Sequence, residues 1–207
     1  MNRRQGLRFG LNKTILFLLL GCFVAGVCHA GDTSRYDDVF SKYSKRFFGP
    51  GFDWRIFKAQ GLAESNLDPE ARSWVGAIGI MQLMPSTFKE VQSANPEFTE
   101  LNSPEWNIAA GIYYDRQQWK TWSKNESAPD RLRFVMGSYN AGRGTISRAQ
   151  KQAVALNLDG SLWPSIEQAA PNVTKWRHEE TLHYVDRIEE FYSELSQTDG
   201  FEGFLGE

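Results

Sequence analysis

Apolar residues recur through most of the chain at intervals of three and four positions, which places them on one face of an α-helix. No long stretch shows the two-residue alternation that is typical of a half-buried strand. The pattern therefore predicts a protein that is all-α or nearly so. The expected helices cover about 53–67, 86–92, 104–122, 130–139, 144–156, 163–168 and 174–195.

Turn and capping residues set several of these limits. Pro69 ends the first helix, and Ser86 is expected to cap the second. Ser103-Pro104-Glu105 combines a capping serine, a proline in the first turn and an acid near the positive end of a helix. Asn140-Ala141-Gly142 should close the helix of residues 130–139, because Asn and Gly favour the left-handed backbone of a C-cap.

The first 30 residues differ from the rest of the chain. Their start is basic and free of acids, and residues 15–27 are almost wholly apolar. This apolar run is too short to cross a bilayer comfortably, and small residues follow it. Residues 1–30 are therefore predicted to be an export signal that directs the protein to the periplasm or cell envelope. An uncleaved membrane anchor is the alternative.

A lipoprotein signal is a competing interpretation of the same leader. Leu19-Leu20-Gly21-Cys22 resembles a bacterial lipoprotein box, in which Cys22 would carry the lipid anchor. Leu20 fits that box poorly, and the apolar run continues beyond Cys22. Cys22 and Cys28 are the two cysteines of the chain, so a mature protein starting near Gly31 would contain no disulfide.

Length and charge narrow the class of protein further. A chain of 207 residues allows one domain, expected here over 31–196, with a loose C-terminal tail at 197–207. Residues 31–207 carry 19 basic and 25 acidic side chains, a net charge of −6. Such an acidic body argues against a nucleic-acid partner, because phosphate binding depends on basic patches. A monomer is expected.

Glu64 is the strongest candidate for chemistry. It stands near the end of the first predicted helix and precedes a segment, 76–85, that combines glycines with apolar and amide side chains. An apolar wall raises the pKa of a carboxyl group, so such a residue can serve as a general acid near neutral pH. The simpler alternatives are a surface glutamate or one satisfied by a salt bridge. For the run Met81-Gln82-Leu83-Met84, the simpler alternative is core packing.

Tyr139 lies in a second candidate segment, Ser138-Tyr139-Asn140-Ala141-Gly142. Its hydroxyl could orient Glu64 or a substrate oxygen, and the residue types alone do not choose between these roles. A metal site is not expected: His178 and His183 are five residues apart, whereas the zinc-protease motif needs four. A separation of five residues turns the second ring about 140° away from the first around the helix.

Three motifs in this order resemble the soluble lytic transglycosylase (SLT) family, whose catalytic domain is lysozyme-like. They are Glu64-Ser65, Gly79-Ile80-Met81-Gln82 and the segment Ser138–Gly142, and a weaker fourth match joins Glu180-Thr181 with Tyr184-Val185. The matching stretch runs from about Tyr36 to Tyr192. The resemblance implies a single lysozyme-like catalytic domain with a substrate cleft between helices.

The resemblance also implies roles for individual residues. Glu64 would be the single catalytic acid and later the base, without a metal or another cofactor. The substrate-binding residues would be Ser73 at the N-acetyl group, Gln82 and Met84 on the cleft floor, Tyr139 and Asn140 against Glu64 and the substrate, and Glu180 and Tyr184 on the far side. Asp68 and Arg143 depart from the Asn and Pro that are common in the family. Asp68 also raises the alternative of a second catalytic carboxylate.

The activity that the resemblance implies is cleavage of the MurNAc-β-1,4-GlcNAc bond of peptidoglycan without water. The acetamido oxygen of the substrate would replace a second carboxylate, and the product would be a 1,6-anhydro ring. Two alternatives stay open, namely a hydrolytic muramidase of the goose-lysozyme type and a non-catalytic peptidoglycan-binding protein.

Overall fold

The computed structural model describes residues 33–123 and 127–198. The predicted export signal and the alternative lipid anchor at Cys22 lie outside these residues, as does the predicted tail beyond residue 198. In the part that is described, no helix combines the length and apolar character needed to span a membrane.

Eight α-helices and two short 3-10 turns make up the described fold. The helices are α1 (Asp37–Phe48), α2 (Arg55–Ser65), α3 (Pro85–Ala94), α4 (Pro104–Thr121), α5 (Ala128–Ala141), α6 (Arg143–Ala155), α7 (Trp163–Ala169) and α8 (His178–Thr198). The 3-10 turns are Thr33–Tyr36 and Ala170–Asn172. Extended pairing within the described ranges is limited to two isolated bridges, so the all-α prediction is confirmed.

The seven helices expected from the sequence are all present, with ends shifted by a few residues. The cap expected at Ser86 is wrong: α3 begins at Pro85 with Met84 in the cap position, because proline suits the first position of a helix. The last helix begins at His178 rather than near Thr174, since Lys175 adopts a left-handed backbone with φ 58°. Helix α1 was not predicted, although it buries Phe40 and Tyr43.

Helix α2 is largely buried and packs most extensively against α8. Asp53, just before α2, accepts a hydrogen bond from the Tyr192 hydroxyl at 2.9 Å and also accepts the Arg55 N–H at 3.0 Å. At the other end of α2, Glu64 is bonded to Tyr184 of α8. The two helices therefore run antiparallel, and both ends of α2 are fixed to α8 by polar contacts.

One hydrophobic core holds α1, α2, α4, α5 and α8 together. Phe40, Phe57 and Phe134 are completely buried in it. Full burial of a side chain of this kind stabilises the fold by roughly 1.5–3 kcal/mol. The segment between α2 and α3, residues 66–84, contains no helix and lies beside the end of α2 that carries Glu64.

Candidate active site

Glu64 occupies the last turn of α2 and is only partly accessible to solvent. The helix ends at once, since Asn66 takes a left-handed backbone with φ 55°. The hydroxyl of Tyr184, which is buried on α8, donates to Glu64 Oε1 at 2.6 Å. A carboxylate at this position also faces the negative end of the α2 dipole, which disfavours the charged form.

The environment of Glu64 favours the protonated acid. Burial raises the pKa of Glu64 to about 7, against the opposing effects of the Tyr184 hydrogen bond and the Arg187 charge. Burial and the charge of Glu64 in turn hold the pKa of Tyr184 well above its usual value, so the phenol stays a neutral donor. Glu64 can therefore hold a proton at a higher pH than an exposed glutamate, and it can also release that proton near neutral pH.

Hydrogen bonds from α2 and α5 fix the backbone opposite Glu64. Ser65 Oγ donates to the carbonyl of Ile80 at 2.9 Å, and the Tyr139 hydroxyl donates to the carbonyl of Met81 at 2.7 Å. The Tyr139 hydroxyl thus donates to the Met81 carbonyl, and among the described residues Tyr184 rather than Tyr139 donates a hydrogen bond to Glu64. Tyr184, which was expected on the far side of the cleft, contacts Glu64 instead.

Asn107 of α4 forms hydrogen bonds with the same backbone, and sequence reasoning did not find this residue. Its Nδ2 donates to the carbonyl of Ile78 at 2.9 Å, and its Oδ1 accepts the N–H of Met81 at 2.8 Å. Gly79 has φ 78°, and a Cβ on it would lie 2.6 Å from Asn107 Nδ2. The glycine is thus required twice, by its backbone conformation and by this close approach.

Gln82 and Ser73 stabilise the 66–84 segment through their side chains. Gln82 Nε2 donates to the carbonyl of Gly79 at 2.9 Å and to that of Ala71 at 3.3 Å. Ser73 Oγ accepts the N–H of Ala77 at 2.9 Å and so closes a tight turn. Met84, at the end of the segment, is 37% exposed.

Asn140 and Glu180 lie where α5 ends and α8 begins. Thr181 Oγ1 donates to Asn140 Oδ1 at 2.8 Å, which joins the two helices. Glu180, expected on the far side of the cleft, is exposed and pairs with Arg177 at 2.9 Å. This placement follows from its position in the open first turn of α8, where an acid is favoured by the helix dipole.

Asp68, the alternative second carboxylate, is exposed and accepts the N–H of Glu70 at 2.9 Å. This hydrogen bond is typical of an aspartate that stabilises a turn, so Asp68 has a structural role here. Residues 33–123 and 127–198 contain no group of three or more His, Cys, Asp or Glu side chains that could hold a metal ion.

Gln60 and Asp115 form a buried polar cluster close to Glu64, which the sequence analysis also did not predict. Asp115 of α4 is completely buried, and Gln60 Nε2 lies 3.5 Å from its Oδ1. Gln60 precedes Glu64 by one turn of α2, so the two side chains share a face. Burial raises the pKa of Asp115 well above its usual value, and the charge of Glu64 raises it further. No sequence signal distinguishes Asp115 from a solvent-facing acid on the same helix.

The sequence is similar to one family of known proteins. The profile of the family described as "Transglycosylase SLT domain" matches residues 45–159. The membrane-bound lytic murein transglycosylase F of Desulfosudis oleivorans is 31% identical over 174 residues, which are 79% of this chain and 37% of the relative. Its counterpart in Shewanella woodyi is 31% identical over 186 residues, which are 83% of this chain and 37% of the relative. The chain thus spans little more than a third of the length of these curated relatives.

Solved structures share the fold. The soluble lytic transglycosylase SLT70 of Escherichia coli matches with a TM-score of 0.60 and 24% identity over 81% of this chain and 25% of the other. An inactive mutant of the lytic transglycosylase Slt of Pseudomonas aeruginosa matches with a TM-score of 0.64 and 22% identity over 82% of this chain and 25% of the other. At these identities the likeness concerns the fold, and it confirms the lysozyme-like all-α architecture.

Proposed function

Because the chain belongs to the SLT transglycosylase family, we propose that it is a peptidoglycan lytic transglycosylase that cleaves the MurNAc-β-1,4-GlcNAc bond without consuming water. The observation that carries the proposal is Glu64, a partly buried carboxyl whose pKa is raised to about 7 and which is held by Tyr184 beside the 66–84 segment. No cofactor takes part in the proposed reaction.

The first step is acid catalysis. Protonated Glu64 gives its proton to the glycosidic oxygen as the bond from that oxygen to C1 of MurNAc breaks. The acetamido oxygen of the same sugar supplies electrons to C1, so a second protein carboxylate is not needed. The exposed, turn-forming position of Asp68 is consistent with this division of roles.

The second step uses the same residue as a base. The Glu64 carboxylate accepts the proton of the C6 hydroxyl while O6 attacks C1 and displaces the acetamido oxygen. The product is a 1,6-anhydro ring, and Glu64 recovers its proton. The Tyr184 hydrogen bond is strongest while Glu64 is negative, so it stabilises the state between the two steps.

The remaining site residues are proposed to shape the cleft and contact the glycan. Gln82, Ser73 and Met84 belong to the 66–84 segment, whose backbone is fixed opposite Glu64. Tyr139 would hold that backbone, and Asn140 would position the start of α8 through Thr181. Glu180 would lie at the exposed edge of the cleft.

The cell envelope is the proposed place of action, where the enzyme would act on peptidoglycan glycan strands as a monomer. The predicted export signal at 1–30 supports this location. The curated relatives cited above are named as membrane-bound enzymes, which agrees with an envelope location.

Product analysis tests the proposal. Purified protein is incubated with sacculi, and the released muropeptides are examined by mass spectrometry. A lytic transglycosylase gives anhydro ends that are lighter by one water molecule than the products of a hydrolase. Glu64→Gln should abolish cleavage and retain glycan binding, and Glu100→Gln, at an exposed acid between α3 and α4, should cleave normally. Hydrolysed ends would assign a muramidase, and cleavage by Glu64→Gln would overturn the assignment of the acid.

A further inference from the structure

Trp74 exposes more of its surface than any other large apolar residue in the described part of the chain. It is 90% exposed, and its neighbour Val75 is 52% exposed. An apolar ring left in water forgoes the free energy that its burial would contribute, and this exposed ring is accessible to a ligand.

The backbone on both sides of Trp74 is fixed by three hydrogen bonds. The N–H of Ser73 donates to the carbonyl of Ala77 at 3.0 Å, and the N–H of Ala77 donates to Ser73 Oγ at 2.9 Å. The N–H of Gly76 donates to the carbonyl of Ser73 at 3.0 Å. The turn therefore fixes the backbone that carries the indole, which reduces the backbone entropy lost when a ligand binds.

This turn is continuous with the candidate active site. The N–H of Gly79 donates to the carbonyl of Ala71 at 2.9 Å, and Ser65 Oγ, next to Glu64, donates to the carbonyl of Ile80 at 2.9 Å. Trp74 is three residues from Ala71, a reach of at most about 11 Å of extended chain. A glycan strand of a few sugars lying over Glu64 can thus reach the indole.

We propose that Trp74 is a stacking platform for a pyranose ring of the glycan strand, a few sugars away from the bond that Glu64 cleaves. This inference rests on the proposed function. The face of an indole ring is negative, and it attracts the weakly positive C–H groups on one face of a sugar. Met84, 37% exposed at the other end of the 66–84 segment, adds apolar surface to the same stretch of chain.

Charge and size favour a sugar over the other occupants of such a surface. A tryptophan that inserts into an anionic membrane is usually surrounded by basic residues, whereas residues 66–84 contain two acids and one arginine. Trp74 and Val75 together are also far smaller than a stable protein interface, which buries about 800 Å² on each side. A single sugar ring matches the area of one indole face.

The experiment measures the binding of long peptide-free glycan strands to proteins that carry Glu64→Gln, so that the strands stay intact. In this background, Trp74→Ala is compared with Trp74→Phe and with the control Val154→Ala, at a site on α6 that is 60% exposed. We expect Trp74→Ala to weaken binding about three- to tenfold, the usual value of an aromatic stacking contact. Trp74→Phe should retain most of the affinity, and Val154→Ala should bind like the parent.

The outcomes separate this inference from the proposed function. If the wild-type enzyme releases anhydro ends while Trp74→Ala binds strands as tightly as its parent, the platform is wrong and the function stands. If the parent does not bind strands and the wild-type enzyme releases no anhydro ends, both are wrong. A Trp74→Ala protein that loses binding to anionic vesicles but not to glycan strands would overturn the platform in favour of a membrane contact.

Discussion

The hydroxyl of Tyr184 lies 2.6 Å from Glu64 Oε1 and donates to it across the interface of α8 with α2. The bond stabilises the carboxylate, whereas burial of the same group stabilises the neutral acid. A pKa near 7 is the net result, in which burial is the larger effect. The Tyr184 hydrogen bond thus keeps the pKa of Glu64 low enough for the group to lose its proton near neutral pH.

Replacing Tyr184 with phenylalanine should raise the pKa of Glu64 further, because the variant lacks the donor that stabilises the anion. Loss of a hydrogen bond to a charged group corresponds to about 1–2 pKa units. The alkaline limb of the pH profile of kcat/KM, expected near 7 in the wild-type enzyme, should therefore move to higher pH. The maximal rate should fall about tenfold or more, since the negative intermediate state is less stable.

The matched control for this prediction is Tyr113→Phe, which removes a phenol from α4 at a ring that packs against Phe47. Its pH profile should coincide with that of the wild-type enzyme. An alkaline limb of Tyr184→Phe that stays in place, or moves to lower pH, would show that Tyr184 does not stabilise the Glu64 anion.

Glu64→Gln should stabilise the protein at alkaline pH. The pKa of Glu64 is about 7 in the fold and near 4.5 in the unfolded chain, so the folded state binds the extra proton between these values. The wild-type protein therefore loses stability as pH rises from about 4.5 to about 7, and glutamine removes this loss. The two pKa values differ by about 2.5 units, so the gain expected at pH 8 is about 3 kcal/mol in the free energy of unfolding.

Urea unfolding of the two proteins at pH 4 and pH 8 measures this effect. The difference between them should be small at pH 4, where Glu64 is protonated in both states. An equal difference at both pH values would mean that Glu64 titrates normally in the fold and lacks the pKa expected of a catalytic acid.

Gly79→Ala should destabilise the protein by about 2–4 kcal/mol, through a strained backbone and a steric clash. The new Cβ would lie 2.6 Å from Asn107 Nδ2, and Asn107 holds the backbone of Ile78 and Met81. Gly76→Ala is the matched control, since Gly76 also has a positive φ, 92°, but its Cβ would meet nothing within 4 Å. Thermal unfolding should show a clearly larger loss for Gly79→Ala, and equal losses would contradict a clash with Asn107.

The sequence was sufficient for the helical fold and for the position of Glu64, because helical periodicity and short motifs are local properties of the chain. It did not reveal that Tyr184, rather than Tyr139, reaches Glu64. That choice depends on the antiparallel packing of α2 on α8, which no spacing along one helix determines. Asn107 was missed for a similar reason, since its partners lie 26 and 29 positions earlier in the chain.

The burial of Asp115 is the feature that the sequence predicted least well. Nothing in the surrounding helical pattern distinguishes it from a surface acid, yet its side chain is completely buried. Its Oδ2 has no hydrogen-bond partner among the described residues, and neither does Gln60 Oε1 or Gln118 Oε1. Three acceptors without a donor are costly when buried. A proton on Asp115 would supply a donor for one of these oxygens, in agreement with a pKa well above its usual value.

Asp115→Asn should therefore match or exceed the stability of its parent at pH 8. The folded-state pKa of Asp115 is raised, so the folded protein binds a proton that the unfolded chain releases above about pH 4, and stability falls as pH rises. Asparagine does not titrate, and its amide can donate to Gln60 or Gln118. The gain should disappear below pH 4.

Urea unfolding is measured in the Glu64→Gln background. Glutamine does not titrate, so the pH dependence of the difference between the two proteins then reports on Asp115 and not on Glu64. Asp115→Ala serves as the control, since it leaves a cavity and should be less stable than Asp115→Asn at every pH. A loss of stability in Asp115→Asn that grows from pH 4 to pH 8 would mean that the buried carboxyl is charged and satisfied. In that case a second negative charge would lie close to Glu64, and it would contribute to the raised pKa of Glu64.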